Sequence, residues 1–200
     1  MVISHWLYPV EVLGPGKRLA LWVQGCDRRC KNCISPELQG FEGTEYEVSR
    51  LTQILNHLIS ANNMEGVTIS GGEPFEQADE LLQLCAGLSC DDILVYTGYS
   101  WEELSEMLGD RIHGSGISVL ITNPYIENLN DDLPLRGSSN QEFIFLEPEK
   151  KEEYYRYIDR KQRELQFFVE EDTVYMAGIP AMGHAETIRN VITEILKGEK

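Results

Sequence analysis

Long apolar runs are missing from this chain. No stretch of its 200 residues approaches the roughly 18 consecutive apolar residues of a bilayer span, so no membrane helix is expected. Positive charge is scarce: 17 Lys and Arg stand against 33 Asp and Glu, a formal net charge of −16. Such a surface repels polyanions, which argues against non-specific binding to nucleic acid or to an anionic membrane. It suits a partner that is neutral or basic. The opening segment "MVISHWLYPVEVLGPGKR" has no basic leader followed by a long apolar run, so no secretion signal is expected. Histidine is sparse, and His5, His57, His113 and His184 form no ligand spacing. The five cysteines are an odd number, and without an export signal they do not suggest a disulfide framework. The expected location is the cytoplasm, with reduced thiols. Internal repeats and low-complexity linkers are also lacking, so residues 1–200 are taken as one domain, long enough for a real core.

What is present is an alternation of strand and helix patterns. "RLALWVQ" reads as a strand running into a cysteine-rich loop. "SRLTQILNHLISA" places Leu51, Ile54, Leu55, Leu58 and Ile59 on one helical face. "EGVTIS" is a short buried strand ended by Gly71 and Gly72, and "QADELLQLCAGL" returns to helical spacing. "DDILVY" is a strand, and Ser100 with Glu103 signs a capping box for a helix through Leu108. "GISVLIT" and "EFIFL" are further strands. A charged helix "EKKEEYYRYIDRKQREL", a hairpin turning near Glu171 and Asp172, and an amphipathic helix "HAETIRNVITEILK" complete the chain. This rhythm predicts an α/β fold with mostly parallel strands joined by crossover helices. The chain is too short for a full eight-fold barrel of about 250 residues, so an open or partial (βα) barrel fits better. Segment 123–142 is the one long irregular stretch, of a length that is usually functional or mobile.

Three of the five cysteines fall within eight residues, as Cys26-x-x-x-Cys30-x-x-Cys33, where a strand ends and a loop begins. Parallel sheets place ligand sites at such strand ends. Three readings compete. Structural thiols have no reason to cluster so. Zinc wants a fourth ligand, usually in a matching pair, and Cys85 and Cys90 are not spaced as one. An iron–sulfur cluster normally takes four thiolates; three leave one iron open to a substrate. Cys85, on the apolar face of a helix pattern, reads as core, and Cys90 as a bystander.

With its surroundings, this motif resembles that of the radical S-adenosylmethionine enzymes. "GPGKRLALWVQGC", "CISPE", "SGGEPF", "YTGYSWEEL", "PLRGSSNQ" and "MAGIPAMG" are similar, in order, to segments of the glycyl-radical enzyme activases, those of anaerobic ribonucleotide reductase above all. The resemblance covers nearly the whole chain. It implies an incomplete (βα) barrel of the radical SAM type. Cys26, Cys30 and Cys33 would hold a 4Fe-4S cluster whose fourth iron binds S-adenosylmethionine. Reductive cleavage would give a 5′-deoxyadenosyl radical that takes a hydrogen from a glycine of a partner enzyme. The implied partners are that glycyl-radical enzyme and an electron donor such as flavodoxin or ferredoxin.

The remaining site candidates combine residue chemistry with this resemblance. Gly71, Gly72, Glu73 and Pro74 end a buried strand; glycines let a ligand approach backbone closely, though a tight turn would explain them as well. Thr97, Gly98 and Tyr99 end the next strand on the same rim, where ordinary helix capping is the rival reading. Gly178, Ile179 and Pro180 are assigned to the adenosine end by analogy. Arg136 reads as a carboxylate partner or as a solvated loop arginine. The chain also departs from the family. Asn32 stands where many radical enzymes carry an aromatic residue, which the ribonucleotide reductase activases it resembles also tend to lack, whereas Ser118 and Thr122 stand where related activases carry acids that hold a cation. Two other functions stay open: a radical enzyme acting directly on a peptide or small molecule, and a non-catalytic iron–sulfur or zinc protein of electron transfer or assembly.

Overall fold

Local sequence dictates most of the elements in the computed structural model, which describes residues 1–171, 173–181 and 184–197. An extended segment at the start forms β1 (Val2–Val10), and the wholly buried run "RLALWV" forms β2 (Arg18–Val23). A short 3-10 turn, Pro36–Gln39, and a two-residue strand, β3 (Thr44–Glu45), follow. Helix α1 (Val48–Asn62) starts where the Glu47 carboxylate accepts from the Ser49 and Arg50 amides, replacing missing intrahelical partners. It ends at Asn63, which adopts the left-handed conformation Asn tolerates. Then come β4 (Gly66–Gly71), α2 (Ala78–Gly87), β5 (Ile93–Tyr96) and α3 (Trp101–Leu108). The Ser100–Glu103 capping box opens α3 as its sequence predicts. β6 (Val119–Thr122), β7 (Glu142–Phe145) and α4 (Lys151–Arg160) lead to the hairpin β8 (Leu165–Glu170) and β9 (Thr173–Gly178), then α5 (Ala185–Lys197). The hairpin's turn includes Glu171, while Asp172 lies outside the described residues, as do Met182 and Gly183 of "MAGIPAMG".

The main sheet has seven strands in the order β3-β1-β2-β4-β5-β6-β7. Its central run β2-β4-β5-β6 is parallel, with Leu21 beside Ile69, Ile69 beside Val95, and Val95 beside Leu120. The flanks are antiparallel: β1 pairs with both β2 and β3, and β7 pairs with β6. The fold is therefore mixed α/β with a mostly parallel centre. Sequence reading missed β1, and it carried α4 past Arg160 as far as Leu165, which begins β8 instead. Among the described residues no helix is long and apolar enough to cross a membrane.

Strand alternation sorts the core into two faces. Leu19, Leu21, Val67, Ile69, Ile93, Val95 and Leu120 pack with Leu51, Leu55, Leu81, Leu84 and Leu104 of α1, α2 and α3. Cys85 belongs to this face, and burial pushes its thiol up to about 12, so it is an inert core residue. The opposite face carries Ala20, Trp22, Leu94, Val119 and Ile121, covered by the β8–β9 hairpin and by Tyr154 and Ile158 of α4.

At the N-terminal ends of the strands this second face holds a buried ion pair. Arg18 has no exposed surface. Its guanidinium donates to Thr68 Oγ1 (2.6 Å), the Pro15 carbonyl (3.0 Å), Asp92 Oδ2 (2.6 Å), the Val67 carbonyl (2.7 Å) and the Asp92 carbonyl (3.1 Å). Tyr154 donates to the other Asp92 oxygen at 2.8 Å. All five guanidinium N–H groups thus have acceptors, the condition under which a buried charge is tolerated.

Candidate functional site

The cysteine loop leaves β2 at its C-terminal end. It is pinned back on the 3-10 turn by Gly25 N–H to the Leu38 carbonyl (2.9 Å) and Cys26 N–H to the Gln39 carbonyl (3.3 Å). Cys30 and Cys33 are joined by a turn, Cys33 N–H to the Cys30 carbonyl at 3.3 Å. Arg29 and Asn32 sit at φ 50° and 57°, the left-handed region that few side chains other than Asn and Asp adopt readily. That requirement gives Asn32 a backbone reason for its place. Its side chain donates to Glu127 at 2.6 Å, tying the loop to segment 123–142.

All three thiols are free and partly exposed. Burial pushes Cys26 and Cys30 up, and the neighbouring Cys33 adds to the effect at Cys30. In the other direction, the backbone of Arg28 and Arg29 draws the Cys26 thiol down and that of Tyr125 the Cys30 thiol, against the larger effect of burial. Backbone dipoles near the sulfurs favour thiolate ligands and tune iron–sulfur centres. Among the described residues no three His, Cys, Asp or Glu gather as ligands of a metal ion. A 4Fe-4S cluster makes a different demand: each thiolate sits on its own iron, so the sulfurs need not converge on one point. Three free, partly exposed thiols on one loop fit that donor set.

A cavity of about 920 Å³ lies over the C-terminal ends of the central strands, within the usual range of small-molecule sites. Cys30, Cys33, Trp22, Ser70, Gly71 and Tyr96 contribute to its sheet side. Tyr125, Glu127 and Gln141 line it from the irregular segment, and Met176, Gly178, Ile179, Pro180 and His184 from the C-terminal part. Of the residues singled out from sequence, Cys30, Cys33, Gly71, Gly178, Ile179 and Pro180 meet here; Cys26, Gly72, Glu73, Pro74, Thr97, Gly98 and Tyr99 are not part of the wall.

The glycine pair serves the protein's own backbone. Gly71 has φ 116°, and a Cβ there would strike the backbone of Val23. At Gly72 a Cβ would lie 2.7 Å from the Gly25 carbonyl carbon and 2.9 Å from the Leu38 oxygen. The turn after β4 and the cysteine loop are thus in backbone contact, sealed by Gly72 N–H to the Val23 carbonyl (2.9 Å) and Glu73 N–H to the Gly25 carbonyl (2.8 Å).

Glu73 is 2% exposed and brackets the rim. One carboxylate oxygen accepts from the Phe75 amide (3.1 Å) and the Thr97 hydroxyl (2.8 Å), the other from the Gly98 amide (2.7 Å). Burial raises its pKa against the pull of these donors and of Arg28, whose Nε lies 3.9 Å away. The Arg28 guanidinium stacks 3.8 Å from the Tyr99 ring centroid and reaches Glu103 at 3.3 Å. A Cβ on Gly98 would meet its Cδ at 2.5 Å. Glu73, Thr97, Gly98 and Tyr99 therefore engage one another and the cysteine loop.

Arg28 escaped sequence reading, and only its place between two thiols could have flagged it. Arg163 is a second omission. It donates to the carbonyls of Leu133 (3.1 Å), Arg136 (2.6 Å) and Pro180 (2.9 Å), joining two walls of the cavity; nothing in its neighbourhood along the chain signals this. Arg136 itself pairs with Asp131. Ser118 lies at the opposite end of β6, its hydroxyl donating to the Asp91 carbonyl (3.3 Å) and accepting from the Ile93 amide (3.2 Å). Thr122 donates to the Glu142 carbonyl (3.4 Å), and neither residue lines the cavity.

A family model described as a 4Fe-4S single cluster domain matches residues 12–144. The anaerobic ribonucleoside-triphosphate reductase-activating protein of Escherichia coli (strain K12) is 31% identical over 147 residues, covering 68% of this chain and 94% of that protein. The protein of the same name from Enterobacteria phage T4 is 30% identical over 143 residues, covering 68% and 88%. The one from Haemophilus influenzae (strain ATCC 51907 / DSM 11121 / KW20 / Rd) is 33% identical over 144 residues, covering 67% and 92%.

Proposed function

Since the chain belongs to the family of anaerobic ribonucleoside-triphosphate reductase-activating proteins and carries a 4Fe-4S single cluster domain, we propose that it generates a glycyl radical on a partner reductase by reductive cleavage of S-adenosylmethionine. The observation that carries this reading is the placing of Cys30 and Cys33 on the wall of the cavity at the C-terminal ends of the parallel strands. Cys26, Cys30 and Cys33 would hold the cluster, which supplies one electron to the sulfonium, yielding methionine and a 5′-deoxyadenosyl radical. The chain's own task is positioning and shielding. Gly71 with the backbone of the β4 turn forms one wall. Gly72, Glu73, Pro74, Thr97, Gly98 and Tyr99 hold that wall against the cysteine loop. Trp22, Met176 and Ile179 offer apolar surface that keeps water from a reactive species. In this reading the open sheet is an incomplete (βα) barrel of the radical SAM type in a single domain 1–200. The protein works in the cytoplasm with a small electron donor such as flavodoxin or ferredoxin.

The test is anaerobic. Reconstituted protein, a strong reductant, S-adenosylmethionine and an anaerobic ribonucleotide reductase are mixed. Methionine and 5′-deoxyadenosine should form, and a glycine-centred doublet should appear in the electron paramagnetic resonance spectrum. Alanine at the partner's glycine should remove the doublet. Deuterium drawn into 5′-deoxyadenosine from a labelled peptide or metabolite, with no protein radical, would instead establish direct modification.

A further inference from the structure

Segment 123–142 has little regular structure, yet it is tied down on two sides. On one side Glu127 accepts from Asn32 of the cysteine loop at 2.6 Å. On the other, the carbonyls of Leu133 and Arg136 both turn to the guanidinium of Arg163, at 3.1 and 2.6 Å. Between these carbonyls stands Leu135 at φ 68°, a backbone that a branched side chain keeps only where its surroundings enforce it. Leu135 packs in the core with Leu94, Val119 and Ile121, and Arg163 holds the chain on either side of it. The same guanidinium donates to the Pro180 carbonyl at 2.9 Å and faces Asp132 at 3.5 Å. The Arg163 side chain keeps 5% of its surface in solvent, so these acceptors replace most of its water. Gly178 is fitted closely beside it, since a Cβ there would lie 2.4 Å from the Glu164 carbonyl oxygen. Tyr125, Glu127 and Gln141 of the segment line the cavity, as do Ile179 and Pro180, whereas Arg163 does not. The 4Fe-4S family model ends at residue 144, so Arg163 and the wall at 178–181 lie beyond the matched domain.

We propose that Arg163 is a positioning residue that latches segment 123–142 to the wall at 178–181, so that this side of the cavity is assembled before S-adenosylmethionine enters. The ligand rests on the function proposed above; the latch rests on the contacts alone. Without the guanidinium, three carbonyls lose a donor and the backbone at Leu135 is enforced only by the packing of its side chain. The segment then leaves its place for part of the time. A site assembled for about a tenth of the time shows an apparent affinity about tenfold weaker. Saturating ligand draws the walls back together, so the loss falls on binding and not on the cleavage step.

The experiment compares wild type with Arg163→Met, which keeps an unbranched stem and removes the donors, and with Arg163→Lys, which keeps the charge but cannot span three carbonyls. Arg156→Met, which breaks only an exposed ion pair with Glu152, is the control. Hydrogen exchange of the full chain is followed by mass spectrometry. In Arg163→Met, peptides covering 123–142 and 174–181 should exchange about tenfold faster, while β4 and β5 stay as in wild type. Proteins matched for iron are then titrated anaerobically with S-adenosylmethionine, read from the electron paramagnetic resonance signal of the reduced cluster. Arg163→Met should bind about tenfold more weakly and raise KM for cleavage, with kcat within about twofold of wild type. Arg163→Lys should fall between the two in exchange and in affinity, and it carries the comparison if Arg163→Met does not fold. Unchanged exchange in both segments overturns the latch. Faster exchange with wild-type affinity reduces Arg163 to a part of the scaffold and overturns its role at the site. A wild type that shows no response to S-adenosylmethionine removes the functional reading and the ligand with it, and exchange then decides the latch alone.

Discussion

Gly72→Ala tests whether the rim glycines act by admitting the protein's own backbone. The added methyl would run into the Gly25 carbonyl oxygen and lie 2.7 Å from its carbon, where an ordinary contact begins at 3.4 Å, so the cysteine loop must retreat by more than 0.7 Å. The Glu73 amide donates to that same carbonyl at 2.8 Å. Such a retreat along the bond takes it past about 3.5 Å, beyond a useful hydrogen bond. The Leu38 oxygen, which accepts from the Gly25 amide, would also be crowded, at 2.9 Å from the new methyl. Losing one or two buried backbone bonds, with their groups left unsatisfied, costs about 2–4 kcal/mol. In a domain of this length that lowers Tm by roughly 5–15 °C. The loop displaced is the one bearing Cys26, Cys30 and Cys33, so iron loading after anaerobic reconstitution should fall in step. Thermal unfolding by circular dichroism and iron content per chain are the two measurements. Gly40→Ala is the control: it lies in the same segment and a Cβ there meets nothing within 4 Å, so both readouts should match wild type. A Gly72→Ala protein with wild-type Tm and full iron would refute the reasoning.

Changing Cys26, Cys30 or Cys33 to Ala should abolish the cluster absorbance, while Cys85→Ala and Cys90→Ala should retain it; full loading of Cys30→Ala would sink the ligand assignment. Asp92→Ala strands the Arg18 charge without its partner and should cost about 3–5 kcal/mol in urea unfolding, nearly unchanged between low and high salt because the pair is shielded from solvent. A loss that disappears at high salt would place the pair in effective contact with water. His5 stacks 4.7 Å from Trp22 and is lowered by burial from 6.5 to about 4. The unfolded chain therefore binds its proton first, and stability should decline as pH falls from about 7 towards 4. His5→Phe should flatten that part of the profile, and an identical slope in both proteins would remove His5 as a cause.

What could be read along the chain was local. The Ser100–Glu103 box, the apolar face of α1 and the crowded thiols are each defined within a few residues, and each occupies its expected place. β1 escaped because its pairing with β2 comes from strand-to-strand contact, which a pattern of alternating strands and helices does not encode. The charged stretch ending at Leu165 looks helical throughout, but its last residues are drawn into the β8–β9 ladder. At the site, glycines and hydroxyls were read as facing a ligand. Gly72 faces the Gly25 carbonyl, and Thr97 faces Glu73. These partners lie tens of residues away, and the same residue types suit either use. Arg163 shows the limit most sharply, since its value lies in three carbonyls drawn from distant segments.

The ion pair of Arg18 and Asp92 sits at the end of the strands remote from the thiols, and it is complete without any metal. The chain thus differs from small metal-knit domains, in which loss of the metal is loss of the fold. An iron–sulfur centre exposed to oxygen is the most perishable part of such a protein. The core clusters and the anchoring pair draw on no residue between Cys26 and Cys33, so the scaffold is expected to outlive its cofactor, which urea unfolding before and after oxygen exposure would check. Recovery from oxygen should then require iron and sulfide but no new polypeptide.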